Sequence, residues 1–302
     1  MRIDNYPLVS VIIRSMDRPE LTDALKSVAD QTYPHIEVVL VNARGQDHDE
    51  QGDWCGNFPL RTVDMGHQLP RSRAANLGLE HAHGDYLIFL DDDDWFLAHH
   101  VQALAQALND NKDIGAAYAV VQCVRQTKDG SWEQEYVFNQ LFDRTRLLVE
   151  NYIPMHSCLF RKNLLQTGCS FDEGLDTYED WDFWIQLARQ TDFYFLSHIG
   201  AMYRIGSESG FGMVGQDDHV DQALRIFFHK WRFKWTDEEL AGIVSYAKYH
   251  SMYWDVRDVL TAVQDESAQK VQKLKSANSA LYQAREKLLQ HNQTLIGERD
   301  HL

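Results

Sequence analysis

Residues 85–95 read Asp85-Tyr86-Leu87-Ile88-Phe89-Leu90-Asp91-Asp92-Asp93-Asp94-Trp95. The apolar run 86–90 has the length and composition of a strand buried on both faces, and four carboxylates stand at its exit. Adjacent carboxylates repel, so the arrangement is costly unless a cation or a helix terminus offsets the charge. Two readings compete. In one, an Asp caps the helix that follows and the others are solvated; in the other, the run serves a divalent metal on a phosphate-bearing ligand.

Upstream, LVSVII (residues 8–13) reads as a strand, and Arg18-Pro19-Glu20 opens a helical pattern through Leu21, Leu25 and Val28; proline suits a first helical turn. IEVVLV (36–41) reads as a second strand, parallel to the first through a right-handed crossover. Leu60–Met65 is a short third strand, 71–83 a helix ended by Gly84, 96–108 a further helix and 114–124 a further strand. This alternation predicts an α/β fold with a mostly parallel, Rossmann-like sheet, whose ligands bind beyond the carboxyl ends of the strands. The acidic run lies at such an end. Beyond Gly130 the pattern is mixed: an antiparallel strand over 132–138, short helices over 144–150 and 162–167, an amphipathic helix over 178–191, and short strands over 193–196 and 201–205.

The 302 residues carry a net charge of −16, which argues against a general nucleic-acid binder, since phosphate backbones demand a basic surface. Cys55, Cys123, Cys158 and Cys169 show neither CxxC pairing nor zinc spacing, so a reducing cytoplasm is expected. No apolar stretch approaches the roughly 20 residues that span a bilayer. Any membrane contact is therefore expected to be peripheral, at the inner face of the plasma membrane.

Leu274, Leu281, Leu288, Leu295 and Leu302 recur every seventh residue, preceded by Val271. Such a repeat marks a coiled coil. The alternate core positions hold Asn278, Arg285, Asn292 and Arg299, which favours register control over stability, while Tyr282, Leu289 and Ile296 widen the stripe. The expected division is a catalytic domain over 1–225 and a helical extension over 226–302 that mediates self-association or partner contact. A helix docked on its own domain is the alternative.

A second acidic cluster, Glu179-Asp180-Trp181-Asp182, opens the amphipathic helix, where acidic residues complement the first-turn N–H groups. Its aromatic neighbours Trp181, Phe183 and Trp184 also suit a carboxylate whose pKa is raised toward that of a general base. VSVIIRSMDRP (9–19), IEVVLVN (36–42), RSRAANLGLEHAHGDYLIFLDDDDW (71–95) and SCLFRKNLLQTGCSFDEGLDTYEDWDFWIQLA (157–188) together resemble the family 2 glycosyltransferases of the GT-A fold. The resemblance covers roughly residues 8 to 210.

What the resemblance implies is a Mn²⁺- or Mg²⁺-dependent inverting glycosyltransferase. It would move a sugar from a nucleoside-diphosphate sugar to a hydroxyl of a saccharide or lipid-linked saccharide, in surface polysaccharide synthesis. Asp91 and Asp93 match the DXD motif that meets the ribose and the metal, and Asp94 is a further candidate ligand. Asp92, at the variable position, points elsewhere, yet stays among the candidate nucleotide contacts. Asp180 matches the general base, with Glu179 the nearby alternative. Ser15 and Asp17 replace the usual turn after the first strand, and Asn42-Ala43 stands where paired aspartates usually meet the base. Arg71 or Arg73 would reach the nucleobase or a phosphate, or else lie on a solvated helix face. His156, Ser157 and Arg161 lie where an acceptor-side strand and helix would meet. Arg204 would help neutralise phosphate, and the glycine-rich stretch 206–215 suits a closing loop.

His229–Trp235 interleaves basic and aromatic residues, as a membrane-facing patch or a helix turn with buried aromatics would. Two rival functions remain. A nucleotidyltransferase also uses a sheet and acidic metal ligands, but normally carries a glycine-rich basic loop after the first strand, and Arg14–Glu20 contains no Gly. A catalytically inactive scaffold would assemble through the leucine repeat and bind nucleotide weakly or not at all.

Overall fold

The computed structural model describes residues 6–175, 177–206, 217–250, 267–281 and 283. The chain forms two compact units, Met1–Ile243 and Val244–Leu302.

The first unit is built on a ten-stranded mixed sheet in the order β3-β4-β2-β1-β5-β9-β7-β10-β6, with β8 paired to β7. Its strands are β1 (Val9–Ser15), β2 (Ile36–Asn42), β3 (Trp54–Cys55), β4 (Phe58–Val63), β5 (Tyr86–Asp91), β6 (Trp95–Phe96), β7 (Ala116–Gln126), β8 (Trp132–Phe138), β9 (Cys158–Arg161) and β10 (Phe193–Arg204). Every β1 residue is buried, because α/β crossovers cover both faces of the central strands. α1 (Leu21–Ala29) and α3 (His100–Asp110) pack on one face, and α2 (Arg71–His81) and α5 (Glu179–Ala188) on the other. Gly78 lets α2 approach β1 closely, since a Cβ there would collide with Ile12.

β1 pairs in parallel with both β2 and β5, and Arg14 lies directly opposite Asp91. The carboxyl ends of β1, β2 and β5 therefore converge. β9 enters antiparallel between β5 and β7, which makes the sheet mixed on that side.

Three elements differ from the sequence pattern. The helix expected from residue 96 begins at His100, because Trp95 and Phe96 pair with Met202 and Ala201 as an edge strand. The strands expected over 193–196 and 201–205 are one strand, β10, whose register on β7 shifts between Leu196 and Ala201. β9 was absent from the pattern, its four residues being too few to show a period. The short helix α4 covers Arg144–Leu147, and α6 covers Asp217–Trp231.

The first unit extends past the boundary expected at residue 225, because Phe227 and Trp231 of α6 are buried in the same core as Trp181 and Trp184 of α5. Trp231 Nε1 and Lys230 Nζ both bond Asp182, at 2.8 Å each. Within the interleaved segment His229–Trp235, Trp231 and Lys230 thus belong to the framework, whereas Phe233 is 80% exposed. In the second unit, residues 267–281 are helical, and Val271, Leu274 and Leu281 are exposed. Tyr282 and the later heptad positions from Arg285 to Leu302 lie outside the described residues, as do residues 207–216 of the glycine-rich stretch. No helix among the described residues is long and apolar enough to cross a membrane, and all four cysteines are free.

Candidate active site

A cleft of ≈ 80 Å³ opens at the carboxyl ends of β1 and β5, lined by Arg14, Met16, Arg18, Ala43, Leu69, Arg71, Ala74, Asp91, Asp93 and Tyr203. A larger hollow of ≈ 730 Å³ lies at the opposite ends of the strands, between Pro7, Tyr86 and Arg161–Asn163. Two of its three Lys and Arg residues, Arg161 and Lys162, are held by the carbonyls of Ile114, Leu108 and Ala82 and serve the framework, and the third is Lys112. The ligand-binding end of an α/β sheet is the one with the small cleft.

The four aspartates divide by direction. Asp91 is gripped by Arg14, whose Nε and Nη2 donate to Oδ1 and Oδ2 at 2.8 and 2.9 Å. Burial alone would raise this carboxyl's pKa, and the Arg14 guanidinium overrides that and holds it below the usual range. Asp93 faces the cleft with 22% of its side chain exposed, 3.5 Å from Arg18. Burial and then the neighbouring Asp91 carboxylate push its pKa up to about 6.

Asp92 and Asp94 turn into the protein. Asp92 is fully buried and accepts from Met16 N at 2.6 Å, Ser15 Oγ at 3.2 Å and Arg18 Nη1 at 2.6 Å, so it shapes the β1–α1 turn instead of meeting a nucleotide. Asp94 is 1% exposed and accepts from Arg204 N at 2.8 Å. Its Oδ2 lies 3.2 Å from His156 Nδ1 without the alignment of a hydrogen bond, and His156 Nε2 is likewise unpaired and buried. Burial, then the Asp93 and Asp91 charges, raise the pKa of the Asp94 carboxyl, and burial lowers that of His156 to about 4. Asp94 is thus directed away from the cleft in which a diphosphate-bound metal would sit.

The nucleotide-side candidates separate in the same way. Ser15 is buried and bonded to Asp92, Asp17 N and His48 Nε2. Asp17, at φ 60°, pairs with Arg44 at 2.6 Å. Asn42 uses both ends of its amide on Gly45, through Gly45 O at 2.5 Å and Gly45 N at 2.8 Å. Ala43 and Leu69 line the cleft, with Asn42 setting the loop behind them. Arg73 points outward to Glu80 and Glu173. Arg71 lines the cleft and has no hydrogen bond or ion pair among the described residues. Arg204 is sandwiched between Trp95 and Trp132, 5.1 and 5.0 Å from their ring centroids, and bonds Asp93 O and Asp23. It braces the acidic loop, which leaves little of it for a phosphate.

On the acceptor side, Tyr178 adopts the left-handed conformation (φ 66°), uncommon for a non-glycine residue, and starts α5 beside the cleft. Glu179 is buried and accepts from Arg14 Nη1 at 3.0 Å. Asp180 is half-buried. Its Oδ1 accepts from Asn151 Nδ2 at 3.0 Å and Trp181 N at 2.8 Å, while Oδ2 has no hydrogen bond among the described residues. Burial, then the Glu179 charge, push its pKa up to about 6. A carboxylate with one anchored and one free oxygen, titrating near neutrality, has the attributes of a general base.

Two contributors were not legible as site residues. Arg14 stood inside a quoted motif, but its partners lie 77 and 165 positions away. Asn151 had no signal beyond a loop position. His156 lies beneath the acidic loop and stacks on Tyr203 at 5.5 Å, while Ser157 and Arg161 are bonded within the framework.

A diphosphate-bound Mg²⁺ or Mn²⁺ needs only one or two protein carboxylates, the rest of its shell being phosphate and water oxygens. Asp93 fits that requirement, since its partly exposed carboxylate faces the cleft beside the Asp91 carboxylate. Among the described residues no group of three or more His, Cys, Asp or Glu forms a metal cage.

The Glycosyl transferase family 2 model matches residues 10–168, more than half of the chain, and the protein belongs to that family. Among its relatives is an uncharacterized glycosyltransferase of Bacillus subtilis, YwdF, 25% identical over 187 residues, which cover 60% of this chain and 68% of that one. An uncharacterized glycosyltransferase of Haemophilus influenzae is 25% identical over 62% of this chain and 64% of its own. Solved structures share the fold. Residues 1–349 of S. aureus TarS in complex with UDP-GlcNAc align with TM-score 0.55 and 19% identity, over 67% of this chain and 60% of that one. The mannosyltransferase PcManGT of Pyrobaculum calidifontis, in complex with GDP-Man and Mn²⁺, aligns with TM-score 0.50 and 17% identity, over 68% and 59%. The chain thus spans less than two thirds of the H. influenzae relative and of both structural neighbours. The chain carries a family 2 glycosyltransferase domain with a mostly parallel α/β core.

Proposed function

We propose that the protein is an inverting transferase that moves a sugar from a nucleoside-diphosphate sugar to a hydroxyl of a saccharide or lipid-linked saccharide. The observation that carries this reading is Asp180: an anchored carboxylate with a free Oδ2 and a pKa near 6, joined through Glu179 and Arg14 to Asp91 at the cleft. The two neighbours bound to UDP-GlcNAc and GDP-Man support a nucleotide-sugar donor.

In the reaction, the acceptor hydroxyl oxygen bonds to the anomeric carbon as the carbon–oxygen bond to the diphosphate breaks. The bonding pair leaves on the diphosphate oxygen, and the hydroxyl proton passes to Asp180 Oδ2. Attack opposite the leaving group inverts the anomeric centre. Arg18 and Arg71 put positive charge at the cleft mouth. Asp93 is the residue to hold a divalent ion, which when bound offsets the charge of the departing diphosphate.

A thermal-shift panel of UDP, GDP, dTDP and CMP, with and without Mn²⁺, tests the donor side, because a ligand that binds only the native state raises stability by mass action. The reading expects a selective response that needs Mn²⁺ and is lost in Asp93→Ala. No response to any nucleotide would favour the scaffold alternative.

A further inference from the structure

We propose that Arg14 is the positioning residue of the transfer site: one buried guanidinium fixes the donor-side carboxylate of Asp91 and the acceptor-side helix start at Glu179 in a single geometry, coupling donor binding to the base. The inference rests on the transferase reading above and adds a residue to the two acidic clusters.

The geometry follows from register. Arg14 and Asp91 are paired residues at the ends of adjacent parallel strands, so their side chains leave the sheet on the same side. Arg14 donates through Nε and Nη2 to both oxygens of Asp91, the fork-on-fork arrangement that only a guanidinium makes. Nη1, the remaining arm, reaches Glu179 at 3.0 Å, with the side chains of Arg14 and Glu179 8% and 5% exposed. Burial alone would lower the pKa of this guanidinium; the two carboxylates reverse that and hold it charged.

No other described cation bonds Asp91 or Glu179. Removing the charge would leave Glu179 without its ion pair and Asp91 with only the unbonded Arg71 of the cleft, a change that costs far more than loss of a surface pair would. The α5 start would then lose its tether to the donor strand, and Asp180 with it.

The base is where this shows. The groups that face Asp180 are Glu179 and Tyr178 from its own segment, Asn151 from the preceding loop, and Arg14 from β1. Of these only Arg14 is cationic, and it opposes protonation of Asp180. Without it, the base titrates at higher pH. A residue that merely supported the fold would lower the rate at every pH and leave the limb in place.

The test is the pH dependence of kcat/KM for nucleoside-diphosphate release. It uses whichever of UDP-GlcNAc and GDP-mannose stabilises the protein, comparing wild type with Arg14→Gln, Arg14→Lys and the double variant Arg14→Gln/Glu179→Gln. Arg14→Gln is expected to lower kcat/KM about 10²-fold, the loss typical of misplaced catalytic groups, and to move the acid limb upward. Arg14→Lys should return the limb toward its wild-type position and recover only part of the rate, since one ammonium cannot span both carboxylates. If Arg14→Gln does not fold, the double variant is compared with Glu179→Gln alone, so that Arg14 is the single difference between them. A limb that does not move on loss of Arg14, in Arg14→Gln against wild type or in the double variant against Glu179→Gln, overturns the inference. Asp180→Asn separates the two ideas: if that variant keeps its rate, the base assignment itself fails, whereas a dead Asp180→Asn beside an unmoved Arg14 limb removes only the role given to Arg14.

Discussion

Replacing Asp92 by Ala separates the framework member of the acidic run from its neighbours. The carboxylate is fully buried and holds Met16 N and Arg18 Nη1 at 2.6 Å each, with Ser15 Oγ at 3.2 Å. Arg18 is 34% exposed and can turn to water, while the N–H of the partly buried Met16 loses its partner. Breaking a buried charge pair costs about 3–5 kcal/mol, and the escape of Arg18 puts this case near the lower end, about 3 kcal/mol. For a unit of this size that is a fall in Tm of roughly 6–12 °C, at about 2–4 °C per kcal/mol. Urea unfolding followed by tryptophan fluorescence should show a lower midpoint with an unchanged slope. Asp93→Asn, one residue on, should be no less stable than wild type, because burial and Asp91 already disfavour the Asp93 charge. An Asp92→Ala midpoint within about 0.5 kcal/mol of wild type, the range of ordinary surface changes, would refute the division.

Two further expectations follow from the packing. Lys230→Met leaves the fully buried Asp182 without its counter-ion and should cost about 3 kcal/mol in urea unfolding, with partial recovery when Asp182→Asn is added. Deleting residues 263–302 should abolish concentration-dependent association in sedimentation while the nucleotide response persists; a full-length chain that sediments as a monomer at all concentrations would remove the coiled-coil reading.

Fully buried strands were the most legible part of the fold. The runs at 9–13, 36–41 and 86–90 are apolar apart from Ser10 and Glu37 and lie between turn residues, because both of their faces are covered. β6 and β9 have two and four residues, and their pairing partners lie far along the chain, so no local period announces them. Within the site, residue type located the two acidic clusters but not their directions. Of four adjacent aspartates two line the cleft and two turn inward, and only the turn geometry distinguishes Asp92, which braces the loop of Ser15 and Met16, from Asp93, which faces the cleft. Asn42 shows the same limit: an amide able to read a base is instead closed on Gly45. Arg14 was hidden because its meaning depends on register with Asp91 and on where α5 begins.

The most direct measurement of the central claim is the transfer rate of Asp180→Asn across pH, beside its nucleotide affinity. A base works only when deprotonated, and the Asp180 pKa is raised to about 6, so wild-type kcat/KM should rise with pH through about 6 and then level. Asp180→Asn should lose about 10²–10⁴-fold in rate, the usual contribution of a positioned base, while binding nucleoside diphosphate as wild type does. A variant that transfers sugar at the wild-type rate, with the same acid limb, would contradict the account.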